Sequence, residues 1–329
     1  MEPRSDSPVS VVLPVRDAEE TIERALEAVF ASTSPPREVV VVDDGCTDGT
    51  IDIARRFPVR IERSGDPGGV AAARNAGAAK TSGPILFFLD ADVVIERRAL
   101  EAAERVLDDP SISVAIGLQS ARAAFPNPPT AYKNLWLRYT YEKKADRISV
   151  LYSSAVAIRR EVFDEVGGFD VNYRKPNIED SELGKRITDA GHRMAVVPEV
   201  GFLHIKRYTV GGMARTDFHR TAGMTKVQLR DRFRRIRREN YSSIPTSFLI
   251  SCLAPWFAAA AYAAGESDLA FPGASLLVIL LNFFWLRALR QHEGRRAALL
   301  GILFLHLDVA AVNLGAAWGF LEYLGGERY

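Results

Sequence analysis

Three short acidic or mixed-charge clusters and one acidic pair carry the chemistry readable in this chain. The first cluster is Asp90-Ala91-Asp92, which closes the apolar run Ile85–Leu89. In extended backbone, side chains two apart share a face, with Cα atoms roughly 6–7 Å apart. Two carboxylates so placed hold a hard divalent cation and leave room for phosphate oxygens. A solvated turn can carry the same tripeptide, so its place in the fold decides its weight. The second cluster, Asp43-Asp44-Gly45-Cys46-Thr47-Asp48-Gly49-Thr50, follows Val39–Val42. Asp48 reads as a helix cap before Ile51. The third, Pro14-Val15-Arg16-Asp17, ends the run Val9–Val15. Glu179-Asp180-Ser181-Glu182 opens a helical stretch that runs to Ala190, so capping is one reading of Asp180.

The elements that position these groups follow from periodicity. Continuous apolar runs at Val9–Val15, Val39–Val42 and Ile85–Leu89, with Val59–Ile61 as a shorter candidate, read as strands. Helical spacing fills the intervals at Ala18–Ala31, Ile51–Phe57, Gly69–Lys80 and Glu96–Leu107. Buried strands alternating with helices predict an α/β fold, a mostly parallel sheet covered on both faces. Ligands on such sheets sit at the carboxyl ends of the strands, where all three clusters stand. Neither Gly-x-Gly-x-x-Gly after the first strand nor Gly-Lys-Ser/Thr is present, which disfavours a dinucleotide or P-loop site.

Taken in order, these motifs resemble the family 2 glycosyltransferases of GT-A fold. The series is completed by Ala73-Arg74-Asn75-Ala76-Gly77 and Gly167-Gly168-Phe169-Asp170, and it covers about residues 8–210. The resemblance implies a nucleoside-diphosphate sugar, UDP-sugar favoured, held at the strand ends by Pro14, Arg16, Asp17, Asp44, Arg74 and Asp90. Asp44 is the expected reader of the base, since a carboxylate accepts an imide or guanine N–H. Asp92, with Asp90 and His204, is the expected holder of Mn2+ or Mg2+; His204 after a strand also has a plain structural reading. Asp180 is the expected general base, taking a proton from an acceptor hydroxyl in a single inverting displacement. Glu179, Trp136, Gly168 and Phe169 are expected on the acceptor side. Core packing accounts equally for the aromatic residues of 125–146.

Two departures from the family pattern stand out. Cys46 replaces the usual Ser, and the Gln-x-x-Arg-Trp motif of processive synthases is absent near Asp217–Thr221. Transfer of one sugar, rather than polymer growth, is expected. The acceptor is expected to be a glycan or lipid-linked molecule; a polyprenyl-phosphate acceptor or a silent relative serving in membrane assembly are the alternatives. A sugar nucleotidyltransferase would need a Gly-rich, Arg-containing loop after the first strand, which Pro14-Val15-Arg16-Asp17 is not.

Average composition conceals a division. The 329 residues carry a net charge of +1, which argues against a nucleic-acid partner. Two distant cysteines predict no disulfide framework, and no signal peptide is expected. Yet the last 90 residues hold 11 charged side chains against 72 in the first 239. Apolar stretches at 240–265, 269–286 and 297–321 predict two to three transmembrane helices. Phe218, Ala222, Leu229, Phe233 and Ile236 recur at helical spacing with arginines between them, as in an interfacial helix. The expected domains are therefore 1–210 (glycosyltransferase), 211–239 (amphipathic, Arg-rich) and 240–329 (membrane). Arginines flank the first apolar stretch on its N-terminal side. The positive-inside rule then predicts an integral protein of the cytoplasmic membrane, in contact with the bilayer and with residues 1–239 in the cytoplasm. With three spans the C-terminus would be outside.

Overall fold

The computed structural model describes residues 6–143, 148–173, 178–230, 244–265 and 268–329. In chain order the elements are β1 (Val9–Val15), α1 (Ile22–Phe30), β2 (Glu38–Asp43), α2 (Thr50–Ala54), β3 (Arg60–Arg63), α3 (Val70–Ala79), β4 (Ile85–Leu89), β5 (Val93–Ile95) and α4 (Ala99–Leu107). Then come β6 (Val114–Gln119), α5 (Pro128–Glu142), β7 (Ala155–Arg159), α6 (Arg160–Glu165), α7 (Glu179–Asp189), β8 (Met194–His204) and α8 (Val210–Arg230). The chain closes with α9 (Thr246–Ser251), α10 (Ala254–Ala263), α11 (Ala270–Leu281) and α12 (Phe283–Leu324). Two compact units result, Met1–Ser120 with Tyr141–Lys206, and Ala121–Thr140 with Arg207–Tyr329. The second unit thus takes in a segment that the sequence reading assigns to the first domain.

The first unit is built on a sheet of order β3-β2-β1-β4-β7-β6-β8-β5. Strands β3, β2, β1 and β4 are parallel, as their continuous apolar runs predict. β7 is antiparallel to both β4 and β6, β8 is parallel to β6, and β5 is antiparallel to β8. One edge of the sheet therefore collects the carboxyl ends of β1, β2, β4, β6 and β8 with the amino ends of β7 and β5. Pro14 lies where pairing of β1 with β4 has already ended at Val12, so its missing N–H breaks no ladder on that side. α3 lies close on the sheet because Gly77 leaves no room between them: a Cβ there would come within 2.4 Å of Val12 Cγ1.

In the second unit the apolar stretches are divided. Among the described residues two helical stretches, Thr246–Ala263 and Phe283–Leu324, are long and apolar enough to cross a membrane. The expected span at 269–286 is broken at Asn282. That buried side chain donates to Val278 O at 2.9 Å and to Ser251 Oγ at 3.2 Å. α11 alone, at 12 residues, is only about 18 Å long, short of the ~30 Å hydrocarbon core. α12 breaks at Gly294, whose φ of +87° suits glycine.

The expected third span, 297–321, lies in α12 beside α8. Gly315 and Gly319 leave space for the α8 backbone, since a Cβ at either would fall within 2.4 Å of Phe218 O or Ala222 O. Lys226 of α8 pairs with Glu322 at 3.1 Å and donates to Tyr329 O at 2.5 Å. Lys133 of α5 binds Asp217 at 2.5 Å, and the Tyr132 hydroxyl donates to buried Asp308 at 2.9 Å. Asp308 therefore faces other helices. α8 exposes Arg215, His219 and Arg220, which are costly at membrane depth. Tyr329 lies beside the C-terminal end of α8, by Lys226 and Arg230, because α12 runs alongside α8. Phe233 and Ile236, and the arginines after Arg230, lie outside the described residues.

Candidate active site

The first strand-end group surrounds a cavity of about 370 Å³ lined by Arg16, Asp44, Ser64, Asp66 and neighbouring glycines. Asp44 continues β2. Its backbone N–H donates to Val15 O at 2.9 Å, and its Oδ1 accepts the Gly69 N–H at 2.8 Å. Asp17, at φ +47°, accepts from Thr47 N–H at 2.7 Å and Thr47 Oγ1 at 3.1 Å. Asp48 accepts from Thr50 N–H at 3.0 Å and Glu19 N–H at 3.1 Å; the cap position of α2 is Gly49, one residue later than the expected cap. Burial opposes the charge of Asp43. The Cys46 and Gly45 N–H groups, bound at 2.8 and 3.0 Å, nevertheless hold its carboxyl below the ordinary range. Burial pushes the Cys46 thiol up to about 11, so it is a neutral thiol and a poor nucleophile. Sequence reasoning missed Ser64 and Asp66. The signal was present in Gly65-Asp66-Pro67-Gly68-Gly69, a turn segment at the carboxyl end of β3.

A second group centres on Arg74, which is 3% exposed. Its Nη2 donates to Asp90 Oδ1 at 2.8 Å and its Nη1 to Glu179 Oε1 at 3.0 Å. Burial alone would lower its pKa, but Asp90 and Glu179 raise it, so it stays a cation. Asp90 Oδ2 accepts the Ser154 hydroxyl at 2.9 Å. Asp180 stands at the start of α7; its Oδ2 accepts the Ser153 N–H at 3.4 Å and its Oδ1 the Ser181 N–H at 2.7 Å. The structure thus brings Asp90, Arg74, Glu179 and Asp180 together.

Several expectations shift here. Arg74, expected near the donor, is spent on two carboxylates. Glu179, expected toward an acceptor, is buried against it. Phe169 is also interior, with ring centroids 5.3 Å from Phe88 and 5.8 Å from Phe163. Gly168, at φ +66°, is required by fit, because a Cβ there would lie 2.7 Å from Asn75 Oδ1. Trp136 belongs to the second unit, in an aromatic group with Tyr139, Phe248 and Trp285.

A third group pairs Asp92 with His204, which β5–β8 pairing brings to the same edge. Asp92 Oδ2 and His204 Nε2 are 3.0 Å apart. Burial would raise the Asp92 carboxyl; the His204 hydrogen bond and the charges of His204 and Lys206 lower it below the ordinary range. The spacing fits a divalent metal, since neighbouring ligand atoms on an octahedral ion with ~2.1 Å bonds are about 3 Å apart. Nδ1 of the ring lies 3.3 Å from the Tyr152 hydroxyl, a partner for the proton when Nε2 serves as ligand. Among the described residues no group of three His, Cys, Asp or Glu side chains gathers as a metal cage. Two protein donors with phosphate oxygens and water completing the shell is the usual Mg2+ arrangement.

Residues 10–167 match the family described as Glycosyl transferase family 2. Glycosyltransferase AglE of Haloferax volcanii is 30% identical over 237 residues, covering 68% of this chain and 75% of that protein. The chain belongs to glycosyl transferase family 2. This glycosyltransferase also resembles the Pre-mycofactocin glycosyltransferase of Mycobacterium tuberculosis, at 27% identity over 199 residues, 58% of this chain and 41% of that protein. It thus spans three-quarters of one curated relative and less than half of the other. Among solved structures, mannosyltransferase PcManGT from Pyrobaculum calidifontis, in complex with GDP-Man and Mn2+, superposes with a TM-score of 0.60. The match covers 96% of this chain and 89% of that one at 20% identity, and shows a shared fold. The family 2 glycosyltransferase therefore carries its candidate residues on the mixed GT-A sheet that its motifs imply.

Proposed function

We propose that this glycosyltransferase moves one sugar, with inversion, from a nucleoside-diphosphate sugar, UDP-sugar favoured, to a hydroxyl of a glycan or lipid-linked acceptor. The observation that carries the reading is the meeting of the Asp92–His204 pair and the Asp90–Arg74–Glu179–Asp180 group on one sheet edge. Asp44, with Asp17 near it, would accept the N–H groups of the base or the ribose hydroxyls, and Arg16 would supply positive charge to the cavity. Asp92 and His204 would hold Mn2+ or Mg2+, which when bound neutralises charge building on the leaving diphosphate. Asp180 would take the acceptor proton as the hydroxyl oxygen attacks the anomeric carbon. A panel of nucleotide sugars tests the donor assignment. Metal-dependent release of nucleoside diphosphate is expected from one member, a UDP-sugar; release from none overturns it.

The membrane side of the reading rests on the apolar helices and their arginine flanks. The enzyme would be held at the cytoplasmic face, with α8 on that side. Since Tyr329 lies beside Lys226, a tag after Tyr329 is expected to be reachable from the cytoplasmic side only. Single-cysteine labelling in inside-out and right-side-out vesicles checks this. Labelling of α8 and the chain end from opposite sides would rule out the shared side.

A further inference from the structure

Arg74 and Asn75 bind the two sides of the site through consecutive positions of one helix. Asn75 grips Phe169 by its backbone, Nδ2 donating to Phe169 O at 2.8 Å and Oδ1 accepting its N–H at 2.9 Å. The ring so fixed lies under the Arg74 guanidinium, 5.1 Å from its carbon. The fork above it has one prong on Asp90 and the other on Glu179, the residue before Asp180. The return path is short. The Asp90 backbone N–H donates to Ser154 O at 3.1 Å, and the adjacent Ser153 N–H donates to Asp180. A closed circuit thus runs from Asp90 through Arg74 to Glu179 and Asp180, and back through Ser153 and Ser154.

We propose that Arg74 is a positioning residue that sets the register between the donor-side carboxylate Asp90 and the base Asp180, touching neither substrate. This deepens the assignment of Asp180 as base and rests on it. Three features favour positioning over simple stability. A largely buried ion triad, with Arg74 and Glu179 buried and Asp90 half-buried, is weak as a stability device, since apolar packing often serves as well. Arg74 Nε is buried without a hydrogen-bond partner in the structure, so the group is oriented by its two carboxylates rather than by full satisfaction. The two prongs also need a planar fork, which an ammonium group lacks.

The test compares the full-length wild type with Arg74→Lys, Arg74→Met/Glu179→Gln and Asp180→Asn. Each is measured for melting temperature, nucleoside-diphosphate binding with Mn2+, donor hydrolysis and sugar transfer. The double variant removes the cation together with the charge it balances, which guards against simple misfolding. Both Arg74 variants are expected to bind nucleotide within about threefold of wild type, while kcat for transfer falls about 100-fold, the scale of a 1 Å misplacement. Donor hydrolysis should fall less than transfer, because water needs no aligned acceptor. Transfer within threefold of wild type in Arg74→Lys overturns the proposal. So does nucleotide binding that weakens in step with kcat, which would make Arg74 a donor contact. If Asp180→Asn itself transfers normally, the base assignment fails instead.

Discussion

Asp180→Asn is expected to lower kcat for transfer by about 10³, within the 10²–10⁴ range for loss of a positioned general base. The substitution is nearly isosteric. The Asn carbonyl oxygen can still accept the Ser181 N–H that Asp180 takes at 2.7 Å. Loss of one negative charge in the first turn of α7 costs roughly 0.3–1 kcal/mol through the helix dipole, far less than unfolding requires. Nucleotide binding with Mn2+ should stay within about twofold, because the Asp92–His204 pair and the Asp44 cavity are untouched. Steady-state transfer assays alongside calorimetric titration of nucleoside diphosphate separate the two quantities. Transfer within tenfold of wild type would remove Asp180 from the mechanism and leave it as a helix-start residue.

Asp92→Ala is expected to abolish the metal-dependent part of nucleotide binding and with it nearly all activity. In the wild type, nucleoside diphosphate with Mn2+ at about 100 times its Kd should stabilise the fold by roughly 2.7 kcal/mol, a shift of several degrees in melting temperature. The variant should fold, because Asp92 holds its strand through its backbone carbonyl, which accepts the Ile205 N–H at 2.7 Å. It should therefore melt normally without ligand and show no added shift from Mn2+ with nucleotide. Differential scanning fluorimetry with and without metal reads this directly. A Mn2+-dependent shift that survives in Asp92→Ala would place the metal elsewhere.

The two substitutions also separate what was legible early from what was not. Asp90, Asp92 and Asp180 stood out in the sequence because each follows or begins an element whose pattern is strong. A fully buried parallel strand reads as an unbroken apolar run, so its end is easy to find. Arg74 stood out too, as did Asp90 and Glu179, but the pairing of Arg74 with those two carboxylates did not. Its ion pair with Glu179 joins residues 105 positions apart, and no local pattern records which carboxylate an arginine in an Ala-rich helix will meet. Ser153 and Ser154 gave no signal, since their contributions are one backbone N–H, one carbonyl and one hydroxyl aimed by β7.

The C-terminal third shows the same limit from another side. Hydropathy found the apolar stretches because it counts side chains. It did not find the break at Asn282, the kink at Gly294 or the pairing of Gly315 and Gly319 with α8, which depend on packing across the unit. The sequence by itself determined the sheet with acids at its strand ends and the division between a charged part and an apolar tail, because these are written in local periodicity and composition; the family came from the resemblance of its motifs taken in order. Only the tertiary structure decided that Arg74 faces inward to two carboxylates, that Glu179 is buried while Asp180 beside it is half-buried, and that the chain end lies with α8, because each is a contact between elements far apart in the chain.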